Sequence, residues 1–308
     1  MRATIKPWRI ILAPSNLGLR PLRDGHEPGV WQAPGVLMEA GLRRLDNETA
    51  IELDRPSYSP ASETGTRFRN GLAIRQFSLV LASAVEKVQA LAQTPLVIGG
   101  DCSVLLGCLV AARQSGRCGL VHLDGHSDYV HSEDAVESRS PYSAAGMDLS
   151  LATGRGEALL TLWPGVSGPL VDDADAIQIG DREAHLDGDT LPPTIHRVDV
   201  HEALRLGPQH VVALVVDFVR RRALERVWIH LDLDVLDSAV MPAVDDPGRP
   251  GFDYAMLGSV LRGLLHDLPI IGIDVTIYDP DRDPAREHAK AIVACLMSSL
   301  VHVSEESP

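Results

Sequence analysis

Hydrophobic residues along the chain fall into two alternating kinds of segment. Short apolar runs, typical of strands buried on both faces, occupy residues 8–13, 95–98, 119–123, 176–179, 227–233 and 270–275. Longer segments with apolar residues at helical spacing occupy residues 72–91, 104–113, 210–221, 254–265 and 285–300. Strands that alternate with helices predict an α/β fold, in which helices cover both faces of a parallel sheet.

Composition and charge narrow the class of protein. The chain has 308 residues, of which 45% are apolar, so it can bury a sizeable core. Its net charge of −14 and the absence of a basic block argue against a nucleic-acid partner. No apolar run approaches the ~20 residues of a membrane span. The four cysteines form no close Cys-x-x-Cys pair, which favours a reducing, cytoplasmic location.

Acidic and histidine residues cluster where two predicted strands end. Asp124, His126 and Asp128 occupy alternate positions after the third strand, and Asp232 and Asp234 do so at the end of the fifth. Because alternate side chains of an extended chain share a face, we expect each group to converge. Ligands of parallel sheets bind at the carboxyl ends of strands, so both groups should belong to one site.

Several buried carboxylates in one place are costly unless a cation neutralises them. Carboxylate and imidazole ligands suit Mn²⁺, Fe²⁺, Co²⁺, Ni²⁺ or Zn²⁺. Two such ions, about 3.5–4 Å apart, can share carboxylates and activate one hydroxide between them. The pattern therefore predicts a metal site with hydrolytic chemistry.

Neighbouring polar residues have structural interpretations as well. Asp101 is either a further site residue or a cap of the helix that follows it. Asp237 should point away from the face of Asp232 and favours a turn role. His122 and His230 lie inside their strands, where a packed or hydrogen-bonded histidine is the simpler interpretation.

At these residues the sequence resembles the ureohydrolase family of arginase, agmatinase and formiminoglutamase. The family pattern is Gly-Gly-Asp-His-Ser, then Asp-Ala-His-x-Asp, then Asp-x-Asp-x-x-Asp-Pro. Here the corresponding segments are Gly-Gly-Asp-Cys-Ser at 99–103, Asp-Gly-His-Ser-Asp at 124–128 and Asp-Leu-Asp-Val-Leu-Asp at 232–237. Weaker matches extend the likeness over nearly the whole chain, in the same order.

The resemblance implies a fold, an activity and a set of ligands. The fold would be a three-layer α/β/α domain over residues 1–308 with a mostly parallel sheet, assembled as a homo-oligomer (trimer or hexamer). The activity would be hydrolysis of a C–N bond in an amidine or guanidino compound. Asp124 and Asp232 would bridge two divalent ions, Mn²⁺ by family, and Asp128 and His126 become candidate catalytic residues. The implied metal ligands are Cys102, Asp124, His126, Asp128, Asp232 and Asp234.

The sequence departs from the family pattern at one metal-ligand position and at positions where the family binds or protonates its substrate. Cys102 replaces a histidine; a thiolate there would favour Zn²⁺, Fe²⁺ or Ni²⁺, and the alternative is a small buried residue. Ile277 stands where arginases and agmatinases carry the glutamate that binds the guanidinium, and Ala145 where arginases carry a proton-shuttling histidine. His131 and Tyr129 are candidates for the missing proton transfer, and His131 and Ile277 for contacts with substrate.

These differences predict a small-molecule substrate other than plain arginine. Two alternatives remain at this point. One is a single-metal amide hydrolase of the deacetylase type, using Asp124, His126 and Asp232. The other is a non-catalytic, arginase-like metal-binding protein.

Overall fold

A parallel sheet forms the centre of the molecule. The computed structural model describes residues 6–21, 25–46, 48–61, 63–129, 142–184 and 191–301. The strands of these residues are β1 (Trp8–Ala13), β2 (Ile51–Glu52), β3 (Thr94–Gly99), β4 (Gly119–Leu123), β5 (Ala176–Ile179), β6 (His196–Val198), β7 (Val227–Asp232) and β8 (Ile270–Thr276). They form an eight-stranded sheet in the order β2-β1-β3-β8-β7-β4-β5-β6, and every adjacent pair is parallel.

The helices connect successive strands. Those of the described residues are α1 (Ala33–Glu39), α2 (Gly71–Ala90), α3 (Val104–Gln114), α4 (Asp148–Ala152), α5 (Ala158–Thr161), α6 (Val200–Leu206), α7 (Pro208–Arg221), α8 (Tyr254–Asp267) and α9 (Glu287–Leu300). No helix in this part of the chain is long and apolar enough to cross a membrane.

Two hydrophobic cores lie on opposite faces of the sheet. In β3, Leu96 and Ile98 belong to the core formed with α1 and α6–α9, whereas Val97 between them belongs to the core formed with α2–α5. This alternation is that of a strand buried on both faces. The predicted three-layer α/β/α architecture is therefore confirmed.

The strongly patterned elements were predicted to within a few residues, and several short elements were missed. β2, β6, α1, α4, α5 and α6 are each seven residues or fewer, too short for a clear hydrophobic period. The predicted strand 227–233 was wrong at its end. The Asp232 carboxylate accepts a hydrogen bond from Asp234 N at 2.7 Å, which turns the chain into a 3₁₀ helix over Leu233–Val235.

The strand order explains where a site can form. β3, β8, β7 and β4 are consecutive neighbours, so the residues that follow their carboxyl ends meet at the same edge of the sheet. This is the edge at which parallel α/β proteins bind ligands.

Candidate metal centre

The residues predicted from separate strand ends lie together in the folded chain. His126 Nδ1 is 2.9 Å from Asp234 Oδ2 and 3.7 Å from Asp124 Oδ1. Donor atoms of these three residues lie within 4.8 Å of one another, as do those of Cys102, His230 and Asp232. A metal ion needs several donors that converge in this way.

The local geometry that brings them together differs from the predicted alternation along an extended chain. His126 N donates a hydrogen bond to Asp124 Oδ1 at 2.6 Å, so the chain bends directly after β4. Asp128 has a positive φ of 45°, which is not a strand conformation. Asp234 lies in the 3₁₀ helix, and its Oδ1 accepts from Gly125 N at 2.9 Å. The orientation of these candidate ligands therefore results from turns that carboxylates cap, and not from the alternation of side chains along a strand.

Cys102 is a buried candidate ligand that lies beside Asp232. A Cβ at the preceding Gly100 would lie 1.7 Å from Ser15 O, so only glycine allows this turn before the cysteine. The Cys102 Sγ lies 2.7 Å from Asp232 Oδ2 and 3.5 Å from Thr276 Oγ1. Burial, and then the charges of Asp232 and Asp148, raise the pKa of the Cys102 thiol well above its usual range. A divalent cation would favour the thiolate instead.

The carboxylates carry a mutual repulsion that a cation would relieve. Burial raises the pKa of Asp124, Asp128 and Asp232, and neighbouring carboxylates raise each further. Asp124 Oδ2 is buried and has no hydrogen-bond partner. The pKa of His126 is about 10: burial alone would lower it, but the hydrogen bond to Asp234 and its charge prevail. An unpaired buried oxygen among imidazole, thiol and carboxylate donors fits a divalent metal.

A second polar layer lies behind these ligands. His122 and His230, which face each other on β4 and β7, stack with ring centroids 4.8 Å apart. Asp148, at the start of α4, lies 3.1 Å from His122 Nε2 and 3.3 Å from His230 Nε2. Asp274 of β8 accepts from Trp228 Nε1 at 2.6 Å and contacts His230 Nδ1. The hydrogen-bonded interpretation of both histidines is confirmed, whereas the part played by Asp148 was not foreseen.

Asp101 and Asp237 have structural partners. Asp101 accepts from Ser15 Oγ at 2.7 Å and from Ser103 N at 2.9 Å, which holds the turn before α3. Asp237 accepts from Ala239 N at 2.9 Å and pairs with Arg249 at 3.0 Å. Neither belongs to the converging donor sets of the described residues, and Asp128 does not either, although Asp128 interacts electrostatically with Asp124.

A cavity of about 650 Å³ opens onto the ligands. The ligands that line it are Cys102, His126, Asp128, Asp232 and Asp234. Its wall also includes Ala145, Tyr129 and Ile277, whose backbone N donates to Gly100 O at 2.7 Å. Ile277 is 4% exposed and has a φ of 74°, a rare conformation for a β-branched residue. The predicted substrate residue His131 lies outside the described residues.

Further charged groups of the wall were not singled out from the sequence. They are Arg20, Arg69, Glu183, Asp245 and Asp246. Each lies far along the chain from the ligand motifs, or in a loop without a recognisable pattern. Of these residues, only the adjacent acidic pair at 245–246, shortly after β7, forms a sequence pattern from which a site could have been suspected.

Comparison with known proteins shows the family to which this chain belongs. The family model described as the arginase family matches residues 10–302. The arginase of Bacillus caldovelox is 28% identical over 301 residues, 96% of this chain and 98% of that protein. Its native structure at pH 5.6 superimposes with a TM-score of 0.81 at 27% identity, covering 98% of this chain and 99% of that one. A guanidinopropionase of Pseudomonas aeruginosa is 28% identical over 226 residues, 72% of this chain and 64% of that protein.

The fold, the ligand geometry and the extent of the match define one class of protein. The chain belongs to the arginase family.

Proposed function

We propose that this protein is a metal-dependent hydrolase that cleaves a C–N bond of an amidine or guanidino compound other than plain arginine. The observation that carries the proposal is the convergence of thiol, imidazole and carboxylate donors at the floor of one cavity. Family membership and the names of relatives, an arginase and a guanidinopropionase, support the same substrate class.

In this proposal six residues hold two divalent ions. Asp124 and Asp232 would be shared by both ions, His126 and Asp234 would complete one site, and Asp128 and Cys102 would complete the other. When bound, such ions supply a hydroxide nucleophile at neutral pH and polarise the substrate. Mn²⁺ is the family's metal, and the Cys102 thiol leaves Zn²⁺, Fe²⁺ or Ni²⁺ as alternatives.

The chain's own residues place the reacting group. His126 and Asp128 are half-buried and line the cavity, so we propose that both contact the substrate's amidine carbon or its nitrogens. An ionised carboxylate at Asp128 can accept a hydrogen bond from an amidine N–H. Tyr129 is buried in the cavity wall and is a candidate for proton transfer. The same role for His131, which lies outside the described residues, stays a prediction.

Ile277 cannot form the contact by which a glutamate of arginases and agmatinases binds the substrate's guanidinium. Its apolar side chain offers no charge-assisted hydrogen bond where a glutamate would stand. Ala145 likewise offers no proton-shuttling imidazole. These two positions direct the search for substrate towards modified guanidines and amidines.

The test is turnover by the metal-reconstituted protein across a panel of arginine, agmatine, guanidino acids and formimino compounds. Release of urea, or of the corresponding amide, from a compound other than arginine is the expected result. Asp128→Asn should abolish it, whereas Asp237→Asn, outside the ligand set, should not. Inactivity across the panel with metals bound would favour the non-catalytic alternative. Cleavage of acetylated amines with one metal per chain would favour the deacetylase type.

Three further properties belong to this proposal. One sheet carries every strand of the described residues, which supports a single domain over 1–308. Assembly as a homo-oligomer follows from the family resemblance. A cytoplasmic location follows from the cysteine usage noted above.

A further inference from the structure

Arg69 is a buried arginine in the wall of the metal-centre cavity. It is 7% exposed and lies two residues before α2. Its backbone N donates to Tyr142 O at 3.0 Å, and its Nε donates to Pro60 O at 3.2 Å. Backbone and side chain are thus both held in place, and Arg69 is among the residues that line the cavity.

No carboxylate of the described residues forms an ion pair with Arg69. Its Nη1 is buried without a hydrogen-bond partner, and no described carboxylate comes within the 4.0 Å of an ion pair. Arg9, by contrast, is partly buried and pairs with Asp46 at 3.1 Å. A buried, unpaired guanidinium is costly, and an anion that enters the cavity would complete it.

Among the described residues that line the cavity, the other arginine is Arg20, which is exposed. Arg20 also interacts electrostatically with Asp245, so its charge is partly offset. The remaining charged groups of the wall outside the ligand set, Glu183, Asp245 and Asp246, are acidic. Arg69 is therefore the buried cation of a wall whose other charged groups, apart from the exposed Arg20, are acidic.

We propose that Arg69 binds a carboxylate of the substrate, while the amidine or guanidino end lies at the metal centre. A guanidinium presents paired N–H donors that match a carboxylate, and it stays charged at all physiological pH values. The substrate class becomes a linear guanidino or amidino acid, and amines such as agmatine are disfavoured because they would place an ammonium group near Arg69. This inference rests on the proposed hydrolase function and narrows it.

The direct test compares acids with their neutral amides on the unmodified, metal-loaded protein. The probes are ω-guanidino acids from guanidinoacetate to 5-guanidinovalerate, each paired with its carboxamide, titrated by calorimetry. For at least one chain length the acid should bind about tenfold or more tightly than its amide, as expected for a charge-assisted contact. Equal affinities, or no binding of any acid, would overturn the proposal.

Variants assign the preference to this side chain. Arg69→Gln should remove the preference for the acid, and Arg69→Lys should retain part of it. The matched control is Arg67→Gln, because Arg67 is an exposed cation of the same segment that does not line the cavity. Circular dichroism of each variant shows whether it has folded. An Arg69→Gln variant that folds and still prefers the acid would refute the assignment.

Binding and turnover separate this inference from the proposed function. Preference for the acid that depends on Arg69, without release of urea or amide, would retain the inference and remove the hydrolase. Hydrolysis at equal rates for acids and amides would retain the hydrolase and remove Arg69 from substrate recognition.

Discussion

Replacing Asp232 with asparagine should separate metal binding from folding. Asp232 Oδ1 accepts from Asp234 N at 2.7 Å, and an asparagine Oδ1 can keep that bond. The substitution removes the negative charge that Oδ2 presents beside Cys102 Sγ at 2.7 Å. Because we assign Asp232 as a bridge between both ions, its neutral variant should bind neither ion tightly.

The size of the effect follows from linkage. With free metal at 100 times Kd, each site contributes about 2.7 kcal/mol to the free energy of unfolding, hence about 5 kcal/mol for two. At about 1.5 °C per kcal/mol for a chain of 308 residues, the loss corresponds to about 8 °C in Tm. Without metal, Asp232→Asn should raise the Tm instead of lowering it. Burial and the charge of Asp234 raise the pKa of Asp232, so a neutral side chain removes an unfavourable charge.

Thermal unfolding with a chelator and with excess Mn²⁺ measures both effects. The matched control is Asp237→Asn, a carboxylate of the same sequence run that pairs with Arg249 and should keep the full metal-dependent rise in Tm. An Asp232→Asn variant whose Tm rises with metal as much as that of the unmodified protein would refute the bridging assignment.

Three other substitutions test separate parts of the account. Cys102→His should raise Mn²⁺ affinity, because imidazole suits this harder ion better than thiolate; an unchanged Mn²⁺ titration would exclude Cys102 as a ligand. Ile277→Glu should lower the KM, in urea-release assays, for a guanidino acid that the unmodified protein hydrolyses, because it adds a charge-assisted contact; an unchanged KM would count against position 277 as a substrate contact. Asp283 accepts from Tyr278 Oη at 2.8 Å and Ala289 N at 2.9 Å; burial alone would raise its pKa, but these bonds keep the pKa low. A carboxyl whose pKa is depressed in the folded state stabilises the fold at pH values above its unfolded pKa, near 3.9. This contribution is lost as the pH falls through the folded-state pKa. Asp283→Asn should therefore destabilise more at pH 7 than at pH 3 in denaturant titrations, and equal losses would contradict the ionised role.

The candidate ligands could be predicted from the sequence because they follow strands with strong hydrophobic patterns. β4 and β7 are buried on both faces, so the polar residues at their ends were conspicuous. The local geometry was wrong because the carboxylates of Asp124 and Asp232 cap the turns that follow them. Side-chain caps of this kind depend on atomic positions that a period-two pattern does not contain.

Residues that join the site from elsewhere in the chain could not be foreseen. Asp148 begins a five-residue helix, where an acidic residue ordinarily caps or faces solvent, yet it is fully buried beside His122 and His230. Arg69 lies before α2, in a segment whose pattern indicates only the start of a helix. Their positions result from packing between distant segments, which one sequence does not reveal.

The number of metal ions per chain tests the central claim most directly. The protein would be stripped with chelator, reconstituted in turn with Mn²⁺, Fe²⁺, Ni²⁺ and Zn²⁺, freed of excess ion and measured by elemental analysis. The account predicts two ions per chain for at least one of these metals, and loss of both in Asp232→Asn. One ion per chain with every metal, or none, would contradict a two-metal hydrolase.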